Sequence, residues 1–296
     1  MNIVISCDDA YIFPARILID SIAAHNQNVD LWLICDDVSE ENLAALKQQT
    51  DGYRWKFHPV RIPERFVSLA SELPCSGHIT KVAYYRLLTP WVMPDCERAL
   101  YLDSDMLVRG SLEDLYLTDF SGGYLAGAVL DMSKSIRRER KERLSLKGDY
   151  FNSGMQLLQL GLIRQQMTEE QMLDQIRTIS EEFELIYHDQ DVFNKIYDGK
   201  IQKIDRKYNY GSFISISYKL KNRNELRDAV IVHFITSYKP WKNEYCLFYM
   251  KEYWNYLKKY LTKEQQREYW MHKPLAYCNL AKGVIITVYE RCRKKL

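Results

Sequence analysis

Apolar and polar positions along the chain change rhythm in a regular order, and that order sets out a fold. Residues 3–6 (IVIS) form a short continuous apolar run ending at Cys7-Asp8-Asp9, the pattern of a buried strand. Behind it, Ala15, Leu18, Ile19, Ile22 and Ala23 recur at helical spacing, with Pro14 near the start, where its missing N–H is tolerated. Residues 31–35 predict a second strand, and Ser39-Glu-Glu-Asn opens a second helix through Leu43 and Leu46. A third strand, 55–60, follows an Asp51-Gly52 turn. This β-α-β-α-β opening predicts an α/β class with a mostly parallel central sheet and ligands at the strand C-terminal ends.

Residues 80–88 predict a helix, and 99–102 a strand that runs into Asp103-Ser104-Asp105. Further strands are expected at 124–129 and 155–160. Between them, 137–147 (RRERKERLSLK) reads as a solvated helix face or surface loop, with an acceptor-facing flap as the other reading. Thr168-Glu-Glu-Gln is a capping box for a long amphipathic helix. Residues 229–235 form an apolar strand carrying His233. Beyond Trp241 the pattern turns helical, aromatic and basic, which places a large domain over 1–241 and a small helical tail over 242–296.

Composition changes this picture in one place. Residues 239–296 hold 13 Lys and Arg against 5 Asp and Glu, a local charge of +8, so the remainder of a chain with net +2 carries −6. The same tail has 12 of the 38 aromatics, a density that suits an anionic membrane interface better than a nucleic-acid arm. Tyr245, Phe248, Tyr249, Trp254 and Tyr256 supply rings; Lys258, Lys259, Lys273, Lys282, Arg291, Arg293, Lys294 and Lys295 supply charge. Residues 275–289 are expected to lie in the interface as an amphipathic helix. The seven cysteines show no CxxC and predict reduced thiols in a cytoplasmic protein. Neither a signal peptide nor an apolar run of about 18 residues is found, so the expectation is a chain peripheral on the cytoplasmic face.

Several residues can carry chemistry. Side chains at i and i+2 of a strand face one way, about 6.6 Å apart, so Asp103 and Asp105 can hold one hard cation against a diphosphate. Acidic residues where a strand meets a loop are the plainer reading. His233 can join them, since imidazole with carboxylates suits Mn²⁺, or it can be a core histidine. Lys239 can reach a phosphate oxygen or lie at the surface. Asn152, before Ser153-Gly154, is a turn residue or a ligand contact, and Asp189 and Gln190 are helix caps or site residues. Asp8 can accept from a base N–H and Tyr11 can stack on a base; both also fit a solvated loop.

The order of these segments resembles the family 8 retaining glycosyltransferases, in particular the bacterial lipopolysaccharide glucosyl- and galactosyltransferases. The matching segments are CDDAY (7–11), YYRLL (84–88), LYLDSDMLV (100–108), YFNSGMQLL (150–158), HDQDVFN (188–194) and VHFITSYKPW (232–241). The resemblance implies a GT-A fold, a UDP-hexose donor, Mn²⁺ or Mg²⁺, a saccharide or glycolipid acceptor and retention at the anomeric carbon. It places the metal ligands on Asp103, Asp105 and His233. Nucleotide contacts fall on Asp8, Tyr11, Ser104 and Lys239, and donor-sugar contacts on Arg86, Asn152, Asp189 and Gln190. Thr236 stands where the family has glycine, and a β-branched residue there alters the backbone's approach to the diphosphate. Asp189 as nucleophile and Gln190 as support for same-face attack both remain open. The alternatives are a non-catalytic nucleotide-sugar-binding protein and a haloacid-dehalogenase-like phosphatase, whose motif carries Thr or Val where this chain has Leu107.

Overall fold

The first apolar run becomes β1 (Asn2–Ser6), and its alternate side chains enter two separate cores. Val4 joins one with Phe66, Tyr85, Ile176 and Phe193; Ile3 and Ile5 join the other with Leu18, Ile22, Leu33 and Leu46. A strand covered on both faces needs apolar residues throughout, which explains the unbroken run. The computed structural model describes residues 1–76, 80–211, 222–235, 239–242 and 249–271. They divide into two units, one of Met1–Tyr210 with Ala229–His233, the other of the described residues in 211–228 and from 234 onward.

In the first unit, α1 (Ile12–Ala23), β2 (Asp30–Cys35), α2 (Glu40–Gly52) and β3 (Lys56–Arg61) follow as the pattern predicts. Ser39 caps α2 by accepting from the Asn42 amide, and Glu40 and Glu41 complement the positive end of the helix. Asp51 and Gly52 close α2 rather than forming a separate turn. After α3 (Glu64–Glu72), residues 81–88 wind as a 3₁₀ helix and α4 (Thr89–Val92) adds one more turn. Next come β4 (Ala99–Leu102), β5 (Met106–Val108), α5 (Glu113–Tyr116), β6 (Ala126–Leu130), α6 (Lys134–Arg143) and β7 (Phe151–Leu158). Then follow α7 (Leu160–Gln166), α8 (Glu169–Glu182), α9 (Asp189–Ile196), β8 (Ile201–Lys203) and β9 (Tyr210–Gly211). Both halves of the Thr168–Gln171 capping box form at the start of α8.

The central sheet has the order β3-β2-β1-β4-β7-β6-β8. Four pairings are parallel; β7 alone runs against both its neighbours, β4 and β6. That reversal brings the beginning of β7 to the end of β4. β7 starts four residues before the expected 155, so Asn152, Ser153 and Gly154 lie within a strand and not in a turn. A small sheet of order β5-β10-β9 sets β10 (Ile231–His233) antiparallel to β5, with His233 opposite Met106.

The charged stretch 137–147 forms the expected solvated helix face over most of its charges, with one exception. α6 turns Ile136, Arg140 and Leu144 inward at helical spacing, and Arg140 is fully buried. Arg137 is half-buried and donates to the Asp131 carbonyl, and the remaining charges of α6 face water.

In the second unit, α10 (Arg223–Asp228), α11 (Met250–Leu257) and α12 (Lys263–Met271) are described. Its aromatics pack on one another: Phe234 meets Tyr253 edge-on at 5.3 Å and Trp254 stacks on Tyr269 at 4.7 Å. No described helix is long and apolar enough to cross a membrane. Thr236, Tyr245, Phe248 and all of 272–296, with the segment 275–289, lie outside the described residues.

Candidate active site

Asp103 and Asp105 do not sit on a strand; they occupy the turn between β4 and β5. The Asp103 amide donates to the Gly154 carbonyl at 2.9 Å, one more rung in the register of the β4–β7 ladder, and the chain turns immediately after it. The bend, and not strand alternation, makes the two carboxylates converge. His233 enters from β10, its Nε2 3.1 Å from Asp105 Oδ1 and 3.5 Å from Asp103 Oδ2. One ligand atom from each residue lies within 4.8 Å of the others.

The imidazole is aimed by its other nitrogen. Nδ1 lies 3.0 Å from Asn209 Oδ1, so hydrogen bonding assigns the proton to Nδ1 and leaves the Nε2 lone pair toward the carboxylates. Asn209 in turn donates to Asn152 Oδ1 at 2.7 Å. A Cβ at Gly154 would stand 2.3 Å from His233 Cε1 and 2.7 Å from Asp103 Oδ2, so only glycine leaves the three ligands room to meet. Two carboxylate oxygens and one imidazole nitrogen, held from behind and open between them, fit a borderline divalent cation such as Mn²⁺.

Arg86 ties this group to the next. Its Nη2 lies 2.8 Å from Asp103 Oδ1 and its Nε 3.2 Å from Asp189 Oδ2, while Nη1 donates to the Ser153 carbonyl at 2.8 Å. The guanidinium lies 4.7 Å over the Tyr101 ring. Burial opposes its charge, yet Asp103 and Asp189 hold its pKa above the usual arginine value. Burial also pushes Asp103 above the ordinary carboxylate range, against the pull of Arg86. Asp189 is pushed up to about 6, chiefly by burial, although Arg86 and the Ser153 hydroxyl (2.8 Å) favour its anion.

Gln190 completes the floor. Its Oε1 accepts from the Asn152 side chain at 2.8 Å and the Ser153 amide at 3.2 Å; its Nε2 donates to Asp131 Oδ2 at 3.2 Å. Asp131, just past β6, went unnoticed in the sequence. An acidic residue after the last residue of an apolar strand is the signal that marked Asp103, and the same signal finds Asp131. At the far side, Asp8 accepts from the Tyr11 amide at 3.1 Å, and the Tyr11 phenol is raised by burial and by the nearby Asp105 charge.

A protein-family model described as glycosyl transferase family 8 matches residues 2–245. The chain belongs to that family. Among its relatives, glycosyltransferase GlyF of Streptococcus pneumoniae is 28% identical over 86% of this chain and 60% of the relative. The chain therefore spans less than two thirds of GlyF. General stress protein A of Bacillus subtilis is 28% identical over 87% and 93%, and a lipopolysaccharide 1,2-glucosyltransferase of Escherichia coli 28% over 81% and 73%. In structure, the chain superposes on the galactosyltransferase LgtC, solved with donor and acceptor sugar analogues, with a TM-score of 0.75 at 22% identity, covering 91% of this chain and all of that one. That likeness establishes the GT-A fold.

For a family 8 chain, the structure brings together Arg86, Asp103, Asp105, Asn152, Asp189, Gln190 and His233 in one contact network. Ser104 turns inward, its hydroxyl on the Ser6 carbonyl at 3.3 Å. Lys239 belongs to the second unit, where its buried ammonium donates to the Phe234 carbonyl at 2.6 Å.

Proposed function

We propose that this chain is a metal-dependent, retaining hexosyltransferase that moves glucose or galactose from a UDP-sugar to a saccharide or glycolipid acceptor, in lipopolysaccharide or other cell-envelope polysaccharide synthesis. The observation that carries the reading is the junction of the Asp103–Asp105–His233 group with Asp189 through one arginine. The relative named as a lipopolysaccharide 1,2-glucosyltransferase supports the substrate class.

Asp103, Asp105 and His233 would hold Mn²⁺ or Mg²⁺. When bound, the ion supplies Lewis-acid charge that neutralises a departing diphosphate. Arg86 adds fixed positive charge beside it, at no reorganisation cost because Asp103, Ser153 and Tyr101 already hold it in place. Lys239 is assigned to the diphosphate, and Asp8, Tyr11 and Ser104 to the nucleoside. Asn152, Asp189 and Gln190 face the sugar. Above pH 6, Asp189 is an anion that can either attack the anomeric carbon or stabilise positive charge there, with Gln190 supporting same-face attack. Arg86 lowers its nucleophilicity by pairing with it, which weighs toward the electrostatic role.

The test is hydrolysis of UDP-glucose and UDP-galactose with Mn²⁺, read by mass spectrometry. Release of hexose of retained anomeric configuration is expected, with loss in excess EDTA and in Asp105→Ala. Full activity in EDTA would exclude the reading. We also propose that the tail 242–296 docks on an anionic membrane at the cytoplasmic face, each basic residue contributing about 1 kcal/mol. Salt-sensitive sedimentation with phosphatidylserine liposomes, lost on deleting 273–296 while donor hydrolysis persists, checks this; full-length protein that ignores such liposomes at low salt overturns it.

A further inference from the structure

Arg140 and Asp191 are both fully buried, and nothing in the reaction as described uses them. Arg140 grips Asp191 with two prongs, Nε to Oδ1 at 3.1 Å and Nη2 to Oδ2 at 2.9 Å. The carboxylate accepts two more bonds, from the Tyr150 hydroxyl at 2.6 Å and the Tyr187 amide at 2.8 Å. Nη2 also donates to the Glu184 carbonyl at 2.7 Å, so one guanidinium spans the loop that leads into α9.

That loop is strained where it matters. His188, the residue before Asp189, has φ +52° and ψ −123°, a conformation that a side-chain-bearing residue adopts only when its surroundings enforce it. The Tyr187 amide on Asp191 closes the turn across His188. On the other side, Asn194 makes a paired contact with the Phe151 backbone (2.7 and 2.8 Å), fixing α9 to the strand that carries Asn152.

Stability alone explains the ion pair poorly. Desolvating two charges offsets much of their attraction, and Arg140 Nη1 has no hydrogen-bond partner. A geometric role accounts for it better. We propose that Arg140 and Asp191 are positioning residues for sugar transfer: their buried pair holds the strained His188 turn, and so aims the Asp189 carboxylate at Arg86 and the Gln190 amide at Asn152 and Asp131. Neither touches the donor. The catalytic readout of this proposal rests on the hexosyltransferase reading above; the structural readout does not.

The test uses the full chain carrying Arg140→Lys, which keeps the charge but lacks the two-pronged fork, and Asp191→Asn. Tyr150→Phe serves as a third variant, removing one bond to Asp191 without leaving a charge unpaired. Two quantities are read. The first is donor hydrolysis with Mn²⁺: kcat should fall at least tenfold in Arg140→Lys and Asp191→Asn, and at least threefold in Tyr150→Phe. KM for UDP-glucose and affinity for UDP should stay within about threefold, because the metal end is untouched. The second is the titration of the Asp189 carboxyl by ¹³C NMR in the metal-free protein, assigned with Asp189→Asn. Its midpoint, near 6 in wild type, should move by at least half a unit as the carboxylate leaves its place beside Arg86. Wild-type kcat with an unmoved titration in a folded variant overturns the proposal. So does a parallel fall of kcat, UDP affinity and thermal midpoint, the mark of general loosening. If wild type hydrolyses no UDP-sugar, the functional reading fails and the Asp189 titration alone decides the positioning role.

Discussion

Arg86 and Arg140 are the two buried arginines among the described residues, and each binds an aspartate in the first turn of α9. Residues two apart on a helix point about 200° apart, so Asp189 and Asp191 face opposite ways. Arg86 is divided between two carboxylates, and its partner Asp103 keeps 21% of its side chain exposed. Arg140 makes both its short carboxylate contacts to Asp191, with Glu139 at 4.0 Å, and the Arg140–Asp191 pair is sealed. The first arrangement is electrostatically unfinished, with an acidic excess that a cation can complete. The second is closed and can take no ligand. One helix turn thus carries a working side and an anchoring side, built from the same two residue types.

The sharpest way to break this contrast is Gly154→Ala. Its Cβ would press on both His233 and Asp103, so Mn²⁺ affinity by titration calorimetry should drop at least about a hundredfold. The closed pair should not notice, and the thermal midpoint of the metal-free protein should change far less.

Asp189→Asn tests whether the open side is held at a cost. The folded state raises this carboxyl from 3.8 to about 6, so it favours the protonated form. That contribution to stability is complete below pH 3.8 and is lost as pH rises through 6. At pH 8 the metal-free Asn variant should therefore be more stable to denaturant than wild type, by at most about 3 kcal/mol, with the gap gone near pH 4. The same variant should lose at least tenfold in donor hydrolysis. A variant that is both less stable at pH 8 and fully active would erase the distinction between the two sides.

Gln190→Ala should lower kcat for donor hydrolysis about tenfold, near 1.4 kcal/mol, with UDP affinity unchanged, since Gln190 meets Asn152 and Asp131 and not the metal group. Smallest is Thr168→Ala. It removes the capping box of α8 and should cost about 1 kcal/mol in denaturant unfolding while leaving both clusters and the hydrolysis rate unchanged.

Much of this was legible from residue order. Apolar runs and caps fixed β1, α1, β2, α2 and the start of α8, because those signals are local. The metal group was also within reach, though for a partly mistaken reason: Asp103 and Asp105 converge through the turn between β4 and β5, in room left by Gly154, about fifty residues away. Arg140 could not be read, since a run of charges names no inward face until Leu144 is known to be buried and Ile136 packed against it. For Asn152 the residues left a turn and a ligand contact both open, because Asn-Ser-Gly is typical turn chemistry, and the pairing of β7 with β4 and β6 overrides that local preference. Asp131 carried the right signal without a motif to draw the eye.

The distances along the chain that the metal end must span have a consequence for how the protein is made. Asp103 bonds Gly154, Arg86 bonds Ser153, and the third ligand arrives only on β10, 130 residues after the first. By the time residue 203 has left the ribosome, every strand of the central sheet exists, yet the imidazole does not. Contacts this remote in sequence form slowly, after local helices and neighbouring strands. Metal competence should thus be among the last properties the folding chain acquires. In refolding, the Mn²⁺-dependent change in tryptophan fluorescence should lag behind the recovery of far-ultraviolet dichroism.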